Sequence, residues 1–254
     1  MWNINLHFLD TNIILGNIFP DENNENYLIC KEYFKNDIQK KYISERVKNE
    51  AIEVISRKRR ISTKLLDFAE EFIFNNNEIN PSKSELSINK LKKDFLNKYS
   101  HTDFPEGIPK ENFNKIINDL FSIFHDSIYN DLISKNNSNI LNNKKDIKET
   151  FRFYIKDLNY LISTLNCDNY YIEDKYNDLE KSIDNTEIHK ADKLILLDYY
   201  ELIKVLNKNV GFITQDKTII KYKENISKIF KDIDCKIFLP NDYIKLTNSN
   251  FKHN

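Results

Sequence analysis

The first part of the chain has a hydrophobic pattern that predicts strands alternating with helices. Residues 1–10 alternate between apolar and polar positions up to Asp10, which predicts a strand, and Ile13–Phe19 predicts a short helix. The next segment, YLICKEYFKNDIQK, has apolar residues at helical spacing. KYI, which follows it, is short enough to be a second strand.

Two helices are predicted after this second strand. The first begins with Ser44 as its N-cap and continues through ERVKNEAIEVISRKRR. The second, STKLLDFAEEFIF, opens on Ser62 or Thr63. Both helices belong to the first part of the predicted core, which covers residues 1–75.

Between residues 76 and 185, polar spacers separate strongly amphipathic stretches, which predicts an all-helical insertion. Two of its apolar faces have helical spacing. Their members are Phe113, Ile116, Ile117, Leu120, Phe121, Phe124 and Ile128 on the first face, and Phe151, Tyr154, Ile155, Leu158, Leu161, Ile162 and Leu165 on the second. We interpret both faces as helical core, with a groove for a partner helix or a substrate as the alternative.

Beyond residue 186 the chain returns to alternating helices and strands. The predicted elements are a long helix in EIHKADKLILLDYYELIKVL, a buried strand in VGFIT, a helix in KTIIKYKENISKIF and a last strand in CKIFLP. This alternation predicts an α/β fold with a central parallel sheet between helical layers. The predicted organisation is a core in two parts, 1–75 and 186–254 with a C-terminal tail, interrupted by the insertion 76–185.

Composition narrows the class of protein. The 254 residues are 40% hydrophobic, enough for a sizeable core, and 38 basic residues nearly cancel 39 acidic ones, so no overall positive charge attracts nucleic acid. The three cysteines are in no metal-binding spacing, and the three glycines form no phosphate-binding loop. Because we find neither a leader pattern nor about 18 successive apolar residues, we expect a cytoplasmic protein with no membrane partner.

Two carboxylates stand at the ends of predicted strands. Asp10 interrupts the apolar run HFLDTNIIL, and Asp216 follows the strand VGFIT after a single residue. Ligands of open parallel sheets bind beyond the carboxyl ends of the strands. Both aspartates are therefore expected to face one cleft.

Two more carboxylates interrupt the apolar faces of predicted helices. Glu50 lies on the stripe marked by Val47, and Asp192 lies in the middle of the stripe that contains Ile195 and Tyr199. A carboxylate on such a face is unfavourable unless it is paired or bound to a metal. Other acidic residues of these helices lie off or at the edge of the stripes and are predicted to be solvated, namely Glu45, Glu53, Asp198 and Glu201.

Each of these four carboxylates alone also has a structural explanation, such as pairing with a lysine or a helix N-terminus. Together, Asp10, Glu50, Asp192 and Asp216 favour a site for Mg²⁺ or Mn²⁺, which prefer oxygen ligands and retain several waters. Such an ion activates water and stabilises charge on phosphoryl oxygens. The predicted reaction is phosphodiester hydrolysis.

Four segments, in this order, resemble the PIN-domain nuclease family in its VapC-like form. The matching segments are FLDTNIIL with Asp10, ISERVKNEA with Glu50, HKADKLILL with Asp192 and FITQDKTI with Asp216. The resemblance covers roughly 1–75 and 186–240 and implies a PIN-like three-layer α/β/α core. It also implies an endoribonuclease that depends on Mg²⁺ or Mn²⁺, cleaves single-stranded RNA and uses the four carboxylates as ligands.

The chain departs from this family in two places. Many members carry a second acidic residue shortly after the last aspartate, where this chain has Lys217, Thr218 and Ile219, so a single bound ion is expected. The insertion makes the chain longer than a compact VapC-type toxin. A toxin role with an antitoxin, another protein partner and a homodimer all stay open.

These departures also keep a second function open, a catalytically inactive PIN-like module that binds RNA or protein. A phosphatase of the haloacid-dehalogenase type is a weaker alternative. Its chemistry needs a second aspartate two residues after the first, and Asn12 occupies that position.

Two uncharged side chains are candidates for auxiliary roles. Asn12 could orient Asp10 or the attacking water, or be an ordinary helix N-cap. Thr214 could hydrogen-bond a phosphate or a ligand carboxylate, or be an ordinary strand residue.

The densest positive patch is the cluster RKRR, which comprises Arg57, Lys58, Arg59 and Arg60. It could grip the RNA backbone in a sequence-independent contact. The alternative is that these residues complement the dipole at a helix C-terminus. Aromatic residues that could stack on bases or simply pack are Tyr170, Tyr171 and Tyr176.

Overall fold

A computed structural model of the chain describes residues 4–19, 25–35, 39–75, 84–100, 110–134, 136–168, 176–184 and 186–244. Its strands are β1 (Leu6–Leu9), β2 (Lys40–Ser44), β3 (Asn166–Asp168), β4 (Gly211–Ile213) and β5 (Lys236–Phe238). Its helices are α1 (Thr11–Ile18), α2 (Glu25–Phe34), α3 (Glu45–Asn75), α4 (Ser84–Lys98), α5 (Lys110–Ser134), α6 (Ser138–Ser163), α7 (Asn177–Ile183), α8 (Lys190–Leu206), α9 (Lys217–Lys221) and α10 (Lys223–Ile229). Within these ranges, no helix combines the length and the apolar character needed to cross a bilayer.

The strands form one parallel sheet in the order β3-β2-β1-β4-β5, as the α/β prediction requires. The central strand β1 pairs with β2 on one side, where His7 faces Lys41, and with β4 on the other, where His7 faces Gly211. The chain moves outward from β1 to β2 and β3, then returns to place β4 beside β1. The strand order therefore reverses between β1 and β4, and the crevice at the carboxyl ends of two such strands is the usual ligand site of open parallel sheets.

Aromatic side chains fill the core around β1 and β4. Phe8 and Phe212 are completely buried, with ring centroids 5.8 Å apart. Tyr199 of α8 packs against both rings, and its hydroxyl donates to the Val210 carbonyl (2.9 Å) and accepts from the Lys236 amide (3.0 Å). A buried phenol with satisfied hydrogen bonds fixes α8 against the sheet. The C-cap of α8 is Asn207, whose left-handed φ of 49° is one that asparagine tolerates.

α1 and α2 pack closely because Gly16 has no side chain. A Cβ atom at Gly16 would lie 2.6 Å from Sγ of Cys30, well inside van der Waals contact. Cys30 is completely buried, as expected for a reduced cysteine that behaves as a small hydrophobic residue.

The described residues divide into two compact units. The sheet unit falls within Met1–Ile52 and Lys156–Asn254, and the helical unit falls within Glu53–Ile155. The helices α3 and α6 each contribute residues to both units. The predicted insertion, 76–185, has different bounds from the helical unit.

The core of the helical unit contains the first predicted apolar face. Six of its members on α5 are buried, namely Phe113, Ile117, Leu120, Phe121, Phe124 and Ile128. On the part of α6 in this unit, Phe151 of the second predicted face is buried, and Tyr154 and Ile155 are half-buried; Leu158 of that face is buried as well and falls in the sheet unit.

The buried Asp131 of α5 joins α5 to the first turn of α6. Its Oδ1 accepts from the backbone and side-chain nitrogens of Asn139, at 3.1 and 2.6 Å, and its Oδ2 accepts from the Ile140 amide at 2.8 Å. These amides belong to the helix start, where backbone donors otherwise have no partner. Asp131 therefore caps α6 from the preceding helix.

The predicted break at Ser62 is wrong, since α3 is one helix of 31 residues. Ser62 is buried within it, and the Thr63 hydroxyl donates to the Arg59 carbonyl four residues earlier (3.0 Å). Neither glycine nor proline occurs in α3, so a hydroxyl alone does not end the helix.

Two further predictions need correction. The segment 76–185 is not all-helical, because β3 lies within it and pairs with β2 through Ile43 and Cys167. A strand of three residues is too short to show an alternating pattern. The helix predicted in KTIIKYKENISKIF is two short helices, α9 and α10, on either side of Tyr222.

Candidate functional site

The four predicted carboxylates come from four separate segments of the sheet unit. Asp10 follows β1 and is the N-cap of α1, and Asp216 follows β4 and is the N-cap of α9. Glu50 lies in the second turn of α3, and Asp192 lies in the first turn of α8. Asp10 and Asp216 thus stand at the crevice where the strand order reverses.

Asp10 is only 2% exposed, yet both of its carboxylate oxygens accept hydrogen bonds. Oδ1 accepts from the Thr11 amide (2.7 Å), and Oδ2 accepts from Asn12 Nδ2 and from the Thr214 hydroxyl, each at 2.6 Å. These donors hold the carboxylate in one orientation. The alternative that Asn12 is the N-cap of its helix is wrong, because Asp10 occupies that position.

Asn12 and Thr214 also fix the loop after β4 against β1. Asn12 Oδ1 accepts from the Gln215 amide (2.9 Å), and Thr214 Oγ1 accepts from the Asp216 amide (2.9 Å). Asp10 donates its own amide to the Ile213 carbonyl (3.0 Å). Thr214 is completely buried, so its hydroxyl serves this polar cluster rather than solvent.

Glu50 is oriented by Thr11, a residue that the sequence pattern did not single out. The Thr11 hydroxyl donates to Glu50 Oε2 at 2.6 Å, while its amide donates to Asp10. One residue therefore aligns two carboxylates from distant parts of the chain. The only sequence signal for this role is the hydroxyl directly after Asp10 in the segment DTN.

Asp216 has a structural task in addition to its place at the crevice. Its Oδ1 accepts from the amides of Thr218 (2.7 Å) and Ile219 (2.9 Å), which caps α9. Among the described residues, Oδ2 has no donor, so one oxygen of Asp216 is left for another partner.

The pKa values of Asp10 and Asp192 are raised in part by the charges of the other carboxylates of this set. Burial raises the pKa of Asp10 to about 7; the Thr214 hydroxyl and the Thr11 amide oppose this rise, and the charges of Asp192 and Glu50 add to it. Burial likewise raises the pKa of Asp192 to about 7, and repulsion from Asp216 and Glu50 contributes. The carboxylates are therefore near enough to oppose each other's ionisation.

The chemistry of these side chains fits a hard divalent cation. Carboxylate oxygens are the ligands that Mg²⁺ and Mn²⁺ prefer, and a cation would relieve the repulsion that raises the pKa values of Asp10 and Asp192. In the described ranges, no three His, Cys, Asp or Glu side chains are gathered tightly enough to hold an ion as they stand. Binding would therefore need these side chains to move closer together.

Two carboxylates of α8 that were predicted to be solvated are buried instead. Asp198 is 1% exposed and lies 3.6 Å from Nε of Arg46; burial raises its pKa to about 6, which Ser44 and Arg46 oppose. Glu201 is 5% exposed and accepts a hydrogen bond from the Tyr176 hydroxyl. Both predictions fail because α8 is buried on more than one face, whereas a single stripe was assumed.

The basic cluster lies within α3 rather than at its end. Since the helix continues to Asn75, the alternative that Arg57–Arg60 complement a helix C-terminus is wrong. Arg57 pairs with Glu53 one turn earlier, and Arg59 is exposed. Of the three tyrosines, Tyr176 packs edge-on against Tyr200 with centroids 5.1 Å apart, and Tyr170 and Tyr171 lie outside the described residues.

The crevice thus combines Asp192, whose charge interacts unfavourably with the other three carboxylates, with uncharged donors that orient Asp10 and Glu50. Comparison of the chain with protein-family models, with curated proteins and with solved structures finds no match. Its chemistry is therefore inferred from the residues of this crevice.

Proposed function

We propose that this protein is a divalent-metal-dependent endoribonuclease that hydrolyses phosphodiester bonds in single-stranded RNA. Asp10, Glu50, Asp192 and Asp216 would hold Mg²⁺ or Mn²⁺ in a PIN-like α/β/α core. The observation that carries the proposal is that Thr11 hydrogen-bonds the carboxylates of both Asp10 and Glu50 at the carboxyl end of β1, where the charge of Asp192 acts on Asp10 and the charges of Glu50 and Asp216 act on Asp192. A protein that keeps several such groups together without a cation destabilises itself, so a bound cation is the simplest explanation.

The uncharged side chains of the crevice support this role by orienting two of the four carboxylates, Asp10 and Glu50, before any ion arrives. Asn12 and Thr214 fix the Oδ2 atom of Asp10, and Thr11 fixes the Oε2 atom of Glu50. Preoriented ligands lose less conformational freedom when an ion binds. A bound ion would acidify a coordinated water and stabilise negative charge on the phosphoryl oxygens.

Protonation of the crevice gives the proposed reaction a defined pH dependence. Asp10 and Asp192 each have a pKa raised to about 7, so below that pH both groups are largely protonated and are poor ligands. Metal-dependent cleavage is therefore expected to rise from pH 6 to pH 8.

The test is cleavage of a labelled single-stranded RNA in Mn²⁺, in Mg²⁺ and in EDTA. The variants Asp192→Asn and Glu50→Gln remove a charge from the crevice with little change in shape, and Asp178→Asn removes one from the exposed face of α7. Asp10→Asn is included with a check of its folding, because its carboxylate accepts several hydrogen bonds.

Metal-dependent cleavage by the wild type and by Asp178→Asn, and its loss in Asp192→Asn and Glu50→Gln, would support the nuclease. Cleavage that persists in the crevice variants would reject this site as its source. If the wild type neither cleaves RNA nor binds Mn²⁺ by calorimetry, the chain is instead a catalytically inactive PIN-like module that binds RNA or protein. The absence of a tight carboxylate cluster in the described ranges is the observation that favours this second function.

A further inference from the structure

A buried histidine occupies the central strand of the sheet unit. His7 of β1 is completely buried, and its Nδ1 atom lies 2.5 Å from the hydroxyl oxygen of Tyr33, which is completely buried as well. Tyr33 belongs to the last turn of α2. This hydrogen bond therefore joins α2 directly to the central strand.

Three titratable side chains face His7 from the neighbouring elements. From α2 it is Tyr33, and from the segment after β5 it is Tyr243, whose ring packs edge-on against the imidazole with centroids 4.3 Å apart. From β2 it is Lys41, which pairs with His7 in the sheet register and is 8% exposed. On β4 the partner of His7 is Gly211, which has no side chain. No carboxylate is among the groups that act on His7 within the described ranges.

These surroundings suit a neutral imidazole and not an imidazolium. Among the described residues, the Nε2 atom of His7 has no hydrogen-bond partner. Protonation makes both ring nitrogens donors, so Nε2 would carry a buried proton without a partner in place. Burial lowers the pKa of His7 to about 3; the charge of Lys41 adds to this fall, and the Ile4 carbonyl opposes it more weakly. A protonated His7 is therefore compatible with this packing only after its surroundings open.

We propose that the contact between His7 and Tyr33 is an acid-sensitive switch: the neutral imidazole holds α2 against β1, and α2 opens as His7 takes up one proton. In the open state the imidazole has its usual pKa of 6.5, whereas in the closed state its pKa is lowered to about 3. Because the open state binds the proton more readily, the ratio of open to closed molecules rises about tenfold for each pH unit between these values as the pH falls.

The opening of α2 changes two features of the sheet unit. It exposes Cys30, which is completely buried and packs against Gly16 of α1. It also removes a contact of the loop after β4, where the side chain of Gln215 donates to the carbonyl of Asn26 in the first turn of α2 (2.8 Å). The thiol of Cys30 is therefore a native reporter of the opening.

The experiment measures how fast Cys30 reacts with a dipyridyl disulfide, a thiol reagent that works even in acid, and mass spectrometry identifies the labelled cysteine. EDTA is present and RNA is absent, so the result does not depend on the proposed nuclease. Each rate is divided by the rate of the urea-unfolded protein at the same pH, which removes the pH dependence of the reagent. From pH 7.5 to pH 5 this ratio should rise about 30-fold.

Cys235 is the internal control, since it is 9% exposed and lies directly before β5. Its labelling ratio should stay nearly constant over the same pH range. An equal rise at Cys30 and Cys235 would overturn the proposal, because acid would then unfold the whole unit. A Cys30 ratio that does not change with pH would overturn it too.

Two variants test whether His7 is the group that titrates. His7→Gln keeps a polar side chain that takes up no proton in this range, so the rise at Cys30 should disappear. His189→Gln removes an exposed histidine at the N-cap of α8 and should keep the full rise. Persistence of the rise in His7→Gln, or its loss in His189→Gln, would refute the switch.

Two further measurements do not depend on the folding of His7→Gln. Tyr33→Phe removes one hydrogen bond, so the Cys30 ratio should increase about 5-fold at both pH values and keep its rise in acid; an unchanged ratio would refute the role of Tyr33. NMR titration of wild-type His7 should show a neutral imidazole at pH 5 in the folded protein. A normal titration near pH 6.5 while Cys30 stays protected would reject the switch.

Discussion

Replacing Asp192 with asparagine is expected to stabilise the metal-free protein while it removes a proposed ligand. Burial and the neighbouring charges of Asp216 and Glu50 raise the pKa of Asp192 from the usual 3.8 to about 7. This difference corresponds to an upper limit of about 4 kcal/mol of destabilisation once the group is ionised. Asp192 is partly open to water and shares its repulsion with its neighbours, so about half of that value is expected.

A smaller effect opposes this gain. Asp192 lies in the first turn of α8, where the helix dipole favours a negative charge by about 0.5 kcal/mol. The expected net stabilisation of Asp192→Asn is therefore ~1–2 kcal/mol at pH 8. The substitution stabilises because burial and the surrounding carboxylates disfavour the charge more strongly than the dipole favours it.

The pH dependence of the stability difference separates the ionisation of Asp192 from other causes of stabilisation. A carboxyl group whose pKa is higher in the folded state is protonated more readily there, so the contribution of Asp192 to wild-type stability falls as pH rises from about 4 to about 7. The difference between Asp192→Asn and wild type should be near zero at pH 4, grow up to pH 7 and stay constant above it. Urea denaturation in EDTA across this range measures it.

Glu224→Gln is the matched control. Glu224 is an exposed carboxylate in the first turn of α10, so its replacement removes the favourable dipole interaction alone. Glu224→Gln should destabilise the protein slightly, and its stability difference from wild type should not grow between pH 4 and pH 7. A stability difference for Asp192→Asn that is negative, or that does not change with pH, would refute the view that carboxylate repulsion dominates the crevice.

Four further predictions follow from the contacts described above. Millimolar Mn²⁺ should raise the melting temperature more at pH 8 than at pH 5, because Asp10 and Asp192, whose pKa values are raised to about 7, are protonated at pH 5; an equal rise at both values would contradict binding at the crevice. Thr214→Val should lower the free energy of unfolding by ~2 kcal/mol because the hydroxyl's hydrogen bonds to Asp10, Asn12 and the Asp216 amide are lost, whereas Thr214→Ser should not, and equal losses in a denaturation experiment would argue against the hydroxyl. Gly16→Ala should cost ~1–3 kcal/mol through its clash with Cys30, and adding Cys30→Ala should recover much of it; additive losses would exclude this contact as the cause. Asp131→Ala should cost ~2 kcal/mol in chemical denaturation through lost capping of α6, and an effect below about 0.5 kcal/mol would show that the cap contributes little.

The fold class could be predicted from the sequence because the elements of the sheet unit have strong local patterns. The strand at Leu6–Leu9 stands out by its apolar positions before Asp10, the strand at Lys40–Ser44 is predicted from the short segment KYI, and the alternation of strands with helices predicts a parallel sheet. β3 could not be found in this way, since its few residues gain their strand conformation by pairing with β2. Tertiary pairing, not local preference, decides such short segments.

The candidate site was predictable in part for the same reason. Asp10 and Asp216 follow recognisable strands, so the topology of a parallel sheet brings them to one edge. The role of Thr11 was not predicted because a single hydroxyl side chain, unlike a carboxylate, is not unusual within an apolar segment. The burial of Asp198 was missed because burial on several faces of a helix depends on packing partners that the periodicity of one helix does not reveal.

The hydrogen bonds around Asp10 have a consequence for how such a protein could lose the proposed activity during evolution. Asp10 joins β1, the start of α1 and the loop after β4, so the fold itself depends on it. Asp192 contributes repulsion and no comparable set of contacts among the described residues. A lineage released from selection for catalysis would therefore gain stability by discarding Asp192 first and would keep Asp10. In such a lineage, an aspartate kept at the end of β1 would indicate only that the fold is kept. An aspartate kept in the first turn of α8 would be the better indicator of the proposed active site.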